Sequence, residues 1–232
     1  MKRAVLSLGL IALLASAVPA SAQLGGEERE EKYLQVPHRW QLFMDGGIGM
    51  ATDPGLFNDF WNTAFQFGVG GGIVIFPWLE VNGTYNSLSF KNNDIASMEK
   101  VGYTGTKAIE GGTIHTQMYW GSARFIGVPH ARTNPFIEIG VGGFKTKADD
   151  LFIEGVLQNS MANVSGMCFV PALGLQYAMN ERWTAYTKYT YAVNLNKDFA
   201  PGDLLLPAGS TTPTVGGNQV ISAITVGIMI KF

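Results

Sequence analysis

Apolar and polar residues alternate along most of this chain. The last segment is the clearest. Val220, Ser222, Ile224, Val226, Ile228, Ile230 and Phe232 share one face, and Ile221, Ala223, Thr225, Gly227, Met229 and Lys231 share the other. A period of two is the signature of a half-buried strand. The same period places Ala185, Thr187, Tyr189, Tyr191 and Val193 opposite Thr184, Tyr186, Lys188, Thr190 and Asn194. It recurs over 169–177, 135–144, 79–90 and 65–75. Two segments are less regular. In 39–50, Trp40, Leu42, Met44 and Ile48 oppose Gln41 and Asp45, but Phe43 interrupts the pattern. In 113–125, Tyr119 and Phe125 oppose Trp120 and Arg124, and the facing stays open.

Eight strands are therefore predicted, in an all-β chain. The connections alternate in length. Segments 51–62, 91–112, 145–163 and 196–218 are long, whereas those near Pro77, over 126–134 and over 179–182 are short. A soluble sandwich turns its apolar face inward and has no reason for this rhythm. An up-and-down membrane barrel has short turns at one end, long loops at the other and an apolar face toward lipid. Lipid cannot hydrogen-bond a backbone, so a sheet within it must close on itself. The expected fold is thus an eight-stranded antiparallel up-and-down transmembrane β-barrel, with both termini at the periplasmic end and four long external loops.

The polar face agrees with that choice. It carries Gly, Ala, Thr, Asn and Gln with isolated charges, rather than the dense Lys, Glu and Asp of a solvated face. Asp45, Glu80 and Glu138 are expected to pair with Arg124 and Lys188 as a polar network within the lumen, because eight strands leave an interior just wide enough for side chains. Trp40, Phe76, Trp78, Phe125, Trp183 and Phe232 lie beside short turns or termini and predict one interfacial girdle. Phe65, Tyr85, Phe90, Tyr119 and Tyr191 predict the other.

Composition narrows the rest. Only 15% of residues are charged and Gly accounts for 29 of 232, against roughly 25% charged and about 7% Gly in average proteins. Disorder is excluded on that balance. Lys and Arg total 16 against 18 acidic residues, with no basic block, which excludes a nucleic-acid partner. Lys2 and Arg3, the apolar 5–15 and Ala20-Ser21-Ala22 read as a cleaved signal peptide over 1–22. Without Lys2 and Arg3 the mature charge is 14 − 18 = −4. Residues 23–38 form a charged periplasmic lead-in, and 39–232 the barrel. After residue 22 no apolar run approaches the roughly 20 residues of a membrane helix. Cys168 stands alone, so no internal disulfide forms, and one Cys with His38, His115 and His130 offers no metal-ligand spacing.

Three stretches carry a family resemblance: PFIEIGVGGF over 135–144, PALGLQYAMNERWTAYTKYTY over 171–191, and VISAITVGIMIKF over 220–232. In them the chain resembles the small outer-membrane β-barrels of the OmpA/OmpX type. The resemblance implies a bacterial outer-membrane, cell-envelope protein that is monomeric, holds no cofactor and contacts outer-membrane lipid. It also implies that Phe232, with Ile230, Ile228 and Val226, is the signal met by the barrel-insertion machinery. The chain ends at its last strand, without the peptidoglycan-binding domain of larger members.

Three roles follow from such an architecture. The first expected is a non-enzymatic structural or surface-interaction barrel acting through its external loops. The second is a porin-like narrow conduit for small or apolar solutes, and the third a lipid-modifying enzyme. For catalysis the only feature of interest is His115, with Thr113, Thr116 or Ser122 nearby, and no Ser-His-acid order is visible. The Gly clusters at 68–72 and 140–143 do not complete G-x-G-x-x-G and read as strand glycines that relieve crowding. Pro171 breaks a local rule, since a mid-strand Pro removes a ladder hydrogen bond. It predicts either a bulge near the external rim or a gap in the wall, between the fifth and sixth or the sixth and seventh strands, that admits an apolar ligand sideways.

Overall fold

The computed structural model describes residues 40–53, 61, 63–91, 109–129, 131–153, 155–159, 163–196 and 217–232. The segments read as a signal peptide (1–22) and a lead-in (23–38) lie outside the described residues. Eight long strands make the barrel: β1 (Trp40–Asp53), β2 (Ala64–Phe76), β3 (Leu79–Phe90), β5 (Ile114–Ile126), β6 (Thr133–Ala148), β9 (Asn163–Ala178), β10 (Trp183–Leu195) and β11 (Gln219–Lys231). Each pairs antiparallel with its sequence neighbours, and β1 pairs with β11 to close the sheet. The eight-stranded antiparallel barrel read from the alternation is the fold. Closure leaves no open edge.

The described loop segments add a feature that alternation did not predict. β4 (Ile109–Gly111), β7 (Leu151–Ile153) and β8 (Val156–Asn159) form a second, three-stranded sheet. It prolongs the β5–β6 pairing, because the Gly112 N–H donates to Asp150 O and the Asp149 N–H to Thr113 O. Gly111 and Gly112 have φ of 81° and 68°, the left-handed backbone that lets the chain turn there. Two of the long connections thus pair with each other. β6 and β9 also run several residues further toward the loop end than the alternation suggested.

The two faces of the wall are inverted relative to a soluble protein. Outside stand Leu42, Met44, Phe65, Ile137, Val141, Val226 and Ile228, with Val226 66% exposed. Inside, Arg124 and Glu80 have no exposure at all. Phe43 resolves as an inward residue between Gln41 and Asp45, so it breaks the polar character of its face and not the alternation. On β5, Tyr119 and Phe125 face outward and Trp120 and Arg124 inward.

The interior is not lined only by small residues. Phe43, Phe90, Trp120, Phe136, Phe144 and Tyr186 all point into it. Inward glycines make the room. Phe43 lies opposite Gly70, Phe136 opposite Gly174, Phe144 opposite Gly166 and Tyr186 opposite Gly227. A Cβ added at any of these glycines would meet the facing ring. Glycine therefore serves packing across the ladder here. Phe90 is a correction to the expected upper girdle. It sits one residue out of phase with Tyr85 and belongs to the buried cluster with Leu88, Ile114 and Phe144.

The other girdle residues are exposed as expected. Phe76 stacks on Trp78 at 5.4 Å between ring centroids, and Trp78 on Phe125 at 6.4 Å. Trp40, Trp183 and Phe232 stand at the same end, where the Phe232 N–H donates to Trp40 O.

Candidate functional site: an ionic network inside the barrel

The interior charges are assembled by register. Glu80 on β3 lies directly opposite Arg124 on β5, and Arg124 directly opposite Glu138 on β6. Three inward positions on adjacent strands thus form a row. Arg124 Nε and Nη2 donate to Glu138 Oε2 at 3.0 and 2.9 Å, and Nη1 reaches Glu80 Oε2 at 3.5 Å. Ser122 donates to Glu138 Oε1 at 2.7 Å, and Gln41 donates to Glu80 Oε2 at 3.0 Å. The guanidinium is also flanked by rings, with its central carbon 4.4 Å from the Phe136 centroid, 5.6 Å from Tyr186 and 5.7 Å from Phe43. A planar cation suits carboxylates at its edge and aromatic faces above it.

Asp45 and Lys188 form a second pair. Lys188 Nζ is 3.2 Å from Asp45 Oδ2, which also accepts from the Tyr186 hydroxyl at 2.9 Å. Tyr186 touches both groups and links them. The structure therefore brings together all five residues singled out from the sequence, in two contiguous clusters.

Sequence reasoning left out Lys231. Its Nζ lies 3.5 Å from Glu80 Oε1. Among the described residues three inward acids then face three bases, with the Lys231 side chain partly exposed. The signal was legible, because the alternation of the last strand puts Lys231 on the same face as Met229. A further polar set spans the lumen toward the loop end. The Gln219 side chain accepts from Asn194 at 2.7 Å and Thr146 at 3.0 Å, and donates to Thr116 at 3.2 Å. Thr146 and Thr116 stand on β6 and β5, away from β11, so these bonds cross the lumen. Between this set and the ionic row lie Met118, Trp120 and Phe144, while Leu88 stands level with Thr116 and Ile114 lies on its loop side.

Pro171 sits in the middle of β9 and not at its rim, because β9 begins at Asn163 rather than near Phe169. Pairing with β6 runs through Ile139 and Pro171 without a shift. Pairing with β10 skips from Thr190–Ala172 to Val193–Phe169 in unchanged register. The missing N–H falls on that seam, between the sixth and seventh barrel strands. Phe232, Ile228 and Val226 are exposed on the outer wall, with Ile230 half-buried.

The neighbours expected for His115 are not its partners. Ser122 bonds Glu138, and Thr116 bonds Thr146 and Gln219, both inside the barrel. His115 instead meets Ser89 at 2.8 Å and Asp149 at 3.2 Å on the outside. A Ser-His-acid arrangement that is invisible along the chain is thus present in space. Among the described residues no group of three His, Cys, Asp or Glu is placed to hold a metal ion.

No family model and no curated protein matches this chain. Solved structures do. Neisserial surface protein A is similar at 13% identity and a TM-score of 0.52, over 83% of this chain and 97% of its own. Ail, the attachment invasion locus protein of Yersinia pestis, in complex with the heparin analogue sucrose octasulfate, is similar at 12% identity and a TM-score of 0.50. That match covers 84% of this chain and 98% of the other. At such identities the likeness is one of fold: this chain has the fold of the small eight-stranded outer-membrane barrels.

Proposed function

We propose that the chain is an integral β-barrel of the bacterial outer membrane, with a structural or surface-interaction role carried by its external loops. The observation behind this reading is the inversion of the wall. Val226, Ile137 and Val141 are 66%, 60% and 59% exposed, while Arg124, Glu80 and Lys188 are enclosed. In water that arrangement would expose apolar area and bury charge, both unfavourable. In lipid the outer face is solvated by acyl chains and the enclosed charges neutralise one another. The short turns and both chain termini then stand on the periplasmic side, and the protein is a monomer. The enclosed network is a structural element and performs no catalysis. Attachment, the role in Ail's name, is the kind of surface contact this reading gives to the loops. During assembly Phe232, with Val226, Ile228 and Ile230, presents an apolar strand end to the insertion machinery.

Cell fractionation with gels of unboiled and boiled samples tests the reading. The expected result is outer-membrane recovery and a mobility that changes on boiling. A compact monomer that stays in solution without detergent would overturn it.

A second reading, entry of apolar solutes sideways through the wall, is favoured by the ladder interruption at Pro171. Replacing Pro171→Val restores the missing donor. Reduced uptake of apolar solutes is the outcome this reading requires, and unchanged uptake removes it.

A further inference from the structure

Three polar side chains on the outer wall form a hydrogen-bonded row separate from the enclosed network. Ser89 is on β3, His115 on β5, and Asp149 is one residue past β6. Ser89 and His115 are direct cross-strand partners. The Asp149 backbone is tied to Thr113 at 2.9 Å, which holds its carboxylate beside the ring. Ser89 Oγ is 2.8 Å from His115 Nδ1, and His115 Nε2 is 3.2 Å from Asp149 Oδ2. A carboxylate only accepts, so Nε2 carries the proton. Nδ1 of the neutral ring is then the acceptor, and the Ser89 hydroxyl donates to it. This is the connectivity of nucleophile, base and orienting acid.

The position of the row selects a substrate. The His115 and Asp149 side chains are 42% and 46% exposed. Toward the turns the same outer face continues through Ser87 and Gln117 to the exposed rings of Tyr85 and Tyr119. The row therefore stands where the apolar belt gives way to polar side chains. In a bilayer that level holds the junction between acyl chains and headgroups. Two cations flank it. Lys147 lies directly opposite His115 on β6, and Lys91 follows Ser89 by two residues.

We infer that Ser89, His115 and Asp149 form an ester-cleaving site for the fatty acyl ester of a phosphate-bearing lipid. Ser89 Oγ attacks the ester carbonyl while His115 Nδ1 takes its proton. The bond to the lipid alcohol breaks and His115 returns the proton to that alcohol. Water, deprotonated by the same nitrogen, then cleaves the acyl-serine to a free fatty acid and regenerates Ser89. The net reaction is hydrolysis, with no change of oxidation state. Lys91 and Lys147 attract the lipid phosphate. The strand ladder engages the local backbone amides, so charge on the carbonyl oxygen is left to side chains and turnover is slow. The lipid substrate rests on the outer-membrane reading, whereas the ester chemistry does not.

The test uses the full chain, with folding verified by its boiling-dependent gel mobility. A fluorophosphonate probe and p-nitrophenyl butyrate report the chemistry. Vesicles of phosphatidylglycerol and vesicles containing lipid A report the substrate. Expected are a probe adduct on Ser89 and release of fatty acid from one or both vesicle types. Ester turnover should fall at least about 100-fold in Ser89→Ala and His115→Asn and stay unchanged in Ser87→Ala. Absence of the adduct on folded wild-type protein, or turnover undiminished in Ser89→Ala, would overturn the site. Cleavage of the soluble ester without release from either vesicle would overturn the lipid assignment. Release from one vesicle type alone identifies a phospholipid or a lipopolysaccharide anchor as the source. Recovery of the protein in the soluble fraction would sink the outer-membrane reading and leave the adduct on Ser89 to decide the chemistry.

Discussion

Arg124 and Glu138 face each other across the β5–β6 ladder, and two guanidinium nitrogens donate to one carboxylate oxygen at 3.0 and 2.9 Å. Both side chains are fully enclosed. Arg124→Met leaves Glu80 and Glu138 without their shared cation. Removal of one partner from a buried pair costs about 3–5 kcal/mol. The variant is expected to unfold at markedly lower urea concentration in detergent, by a shift of that order. Arg124→Met combined with Glu138→Gln is expected to recover part of the loss. An unshifted midpoint for the single variant would show the row to be energetically idle.

Tyr186 bridges the two ionic clusters through its hydroxyl on Asp45 and its ring beside Arg124. Tyr186→Phe keeps the ring and removes the hydroxyl. A hydrogen bond to a charged acceptor contributes about 1.5–3 kcal/mol. The expected loss in the same unfolding measurement lies in that range, and it should shrink to about 0.5–1.5 kcal/mol in an Asp45→Asn, Lys188→Met background, where the acceptor is neutral.

The outer wall carries the sharpest prediction about solvent. Val226 is 66% exposed, so Val226→Arg would be nearly neutral on a water-facing barrel. In a bilayer the same change near the midplane costs about 2–4 kcal/mol. Reversible unfolding from lipid vesicles separates the two, and a neutral result would contradict the membrane reading.

Inward and outward glycines are expected to respond differently. A Cβ at Gly142 would run into the backbone of Tyr119 and Trp120, whereas one at Gly83 or Gly121 has its nearest neighbour at 4.0 Å. Gly142→Ala should therefore lower stability by about 1–3 kcal/mol, as overpacking does. Gly83→Ala and Gly121→Ala should change little. Thermal denaturation of the three variants checks the contrast.

The filled interior is expected to block ion flow. The bonds of Gln219 cross the lumen, with Ile114 and Phe90 buried on their loop side and Met118, Trp120 and Phe144 buried beneath them. No steady single-channel current is expected from the protein in planar bilayers. Regular ionic steps would show the enclosed packing to open.

Alternation made the strands, their number and the alternating connection lengths legible, because a period of two has one structural cause. It also separates the inward charges, Lys231 among them, from the outward apolar residues. Phe90 could have been assigned by parity alone. The pairing of β4 with β7, by contrast, joins two distant loops through backbone groups that carry no compositional mark. Ser89, His115 and Asp149 lie 26 and 34 residues apart, and no local pattern ties them. The rings packed over facing glycines were equally hidden, since each partner is set by register with another strand.

The amino-acid order by itself determined a closed sheet with a greasy outside and a polar inside, for these properties repeat along each strand. Which charges meet, which glycine shelters which ring and which hydroxyl finds the histidine were decided only in three dimensions. Those contacts depend on the stagger between neighbouring strands, and stagger is a property of the assembled barrel that no single segment contains.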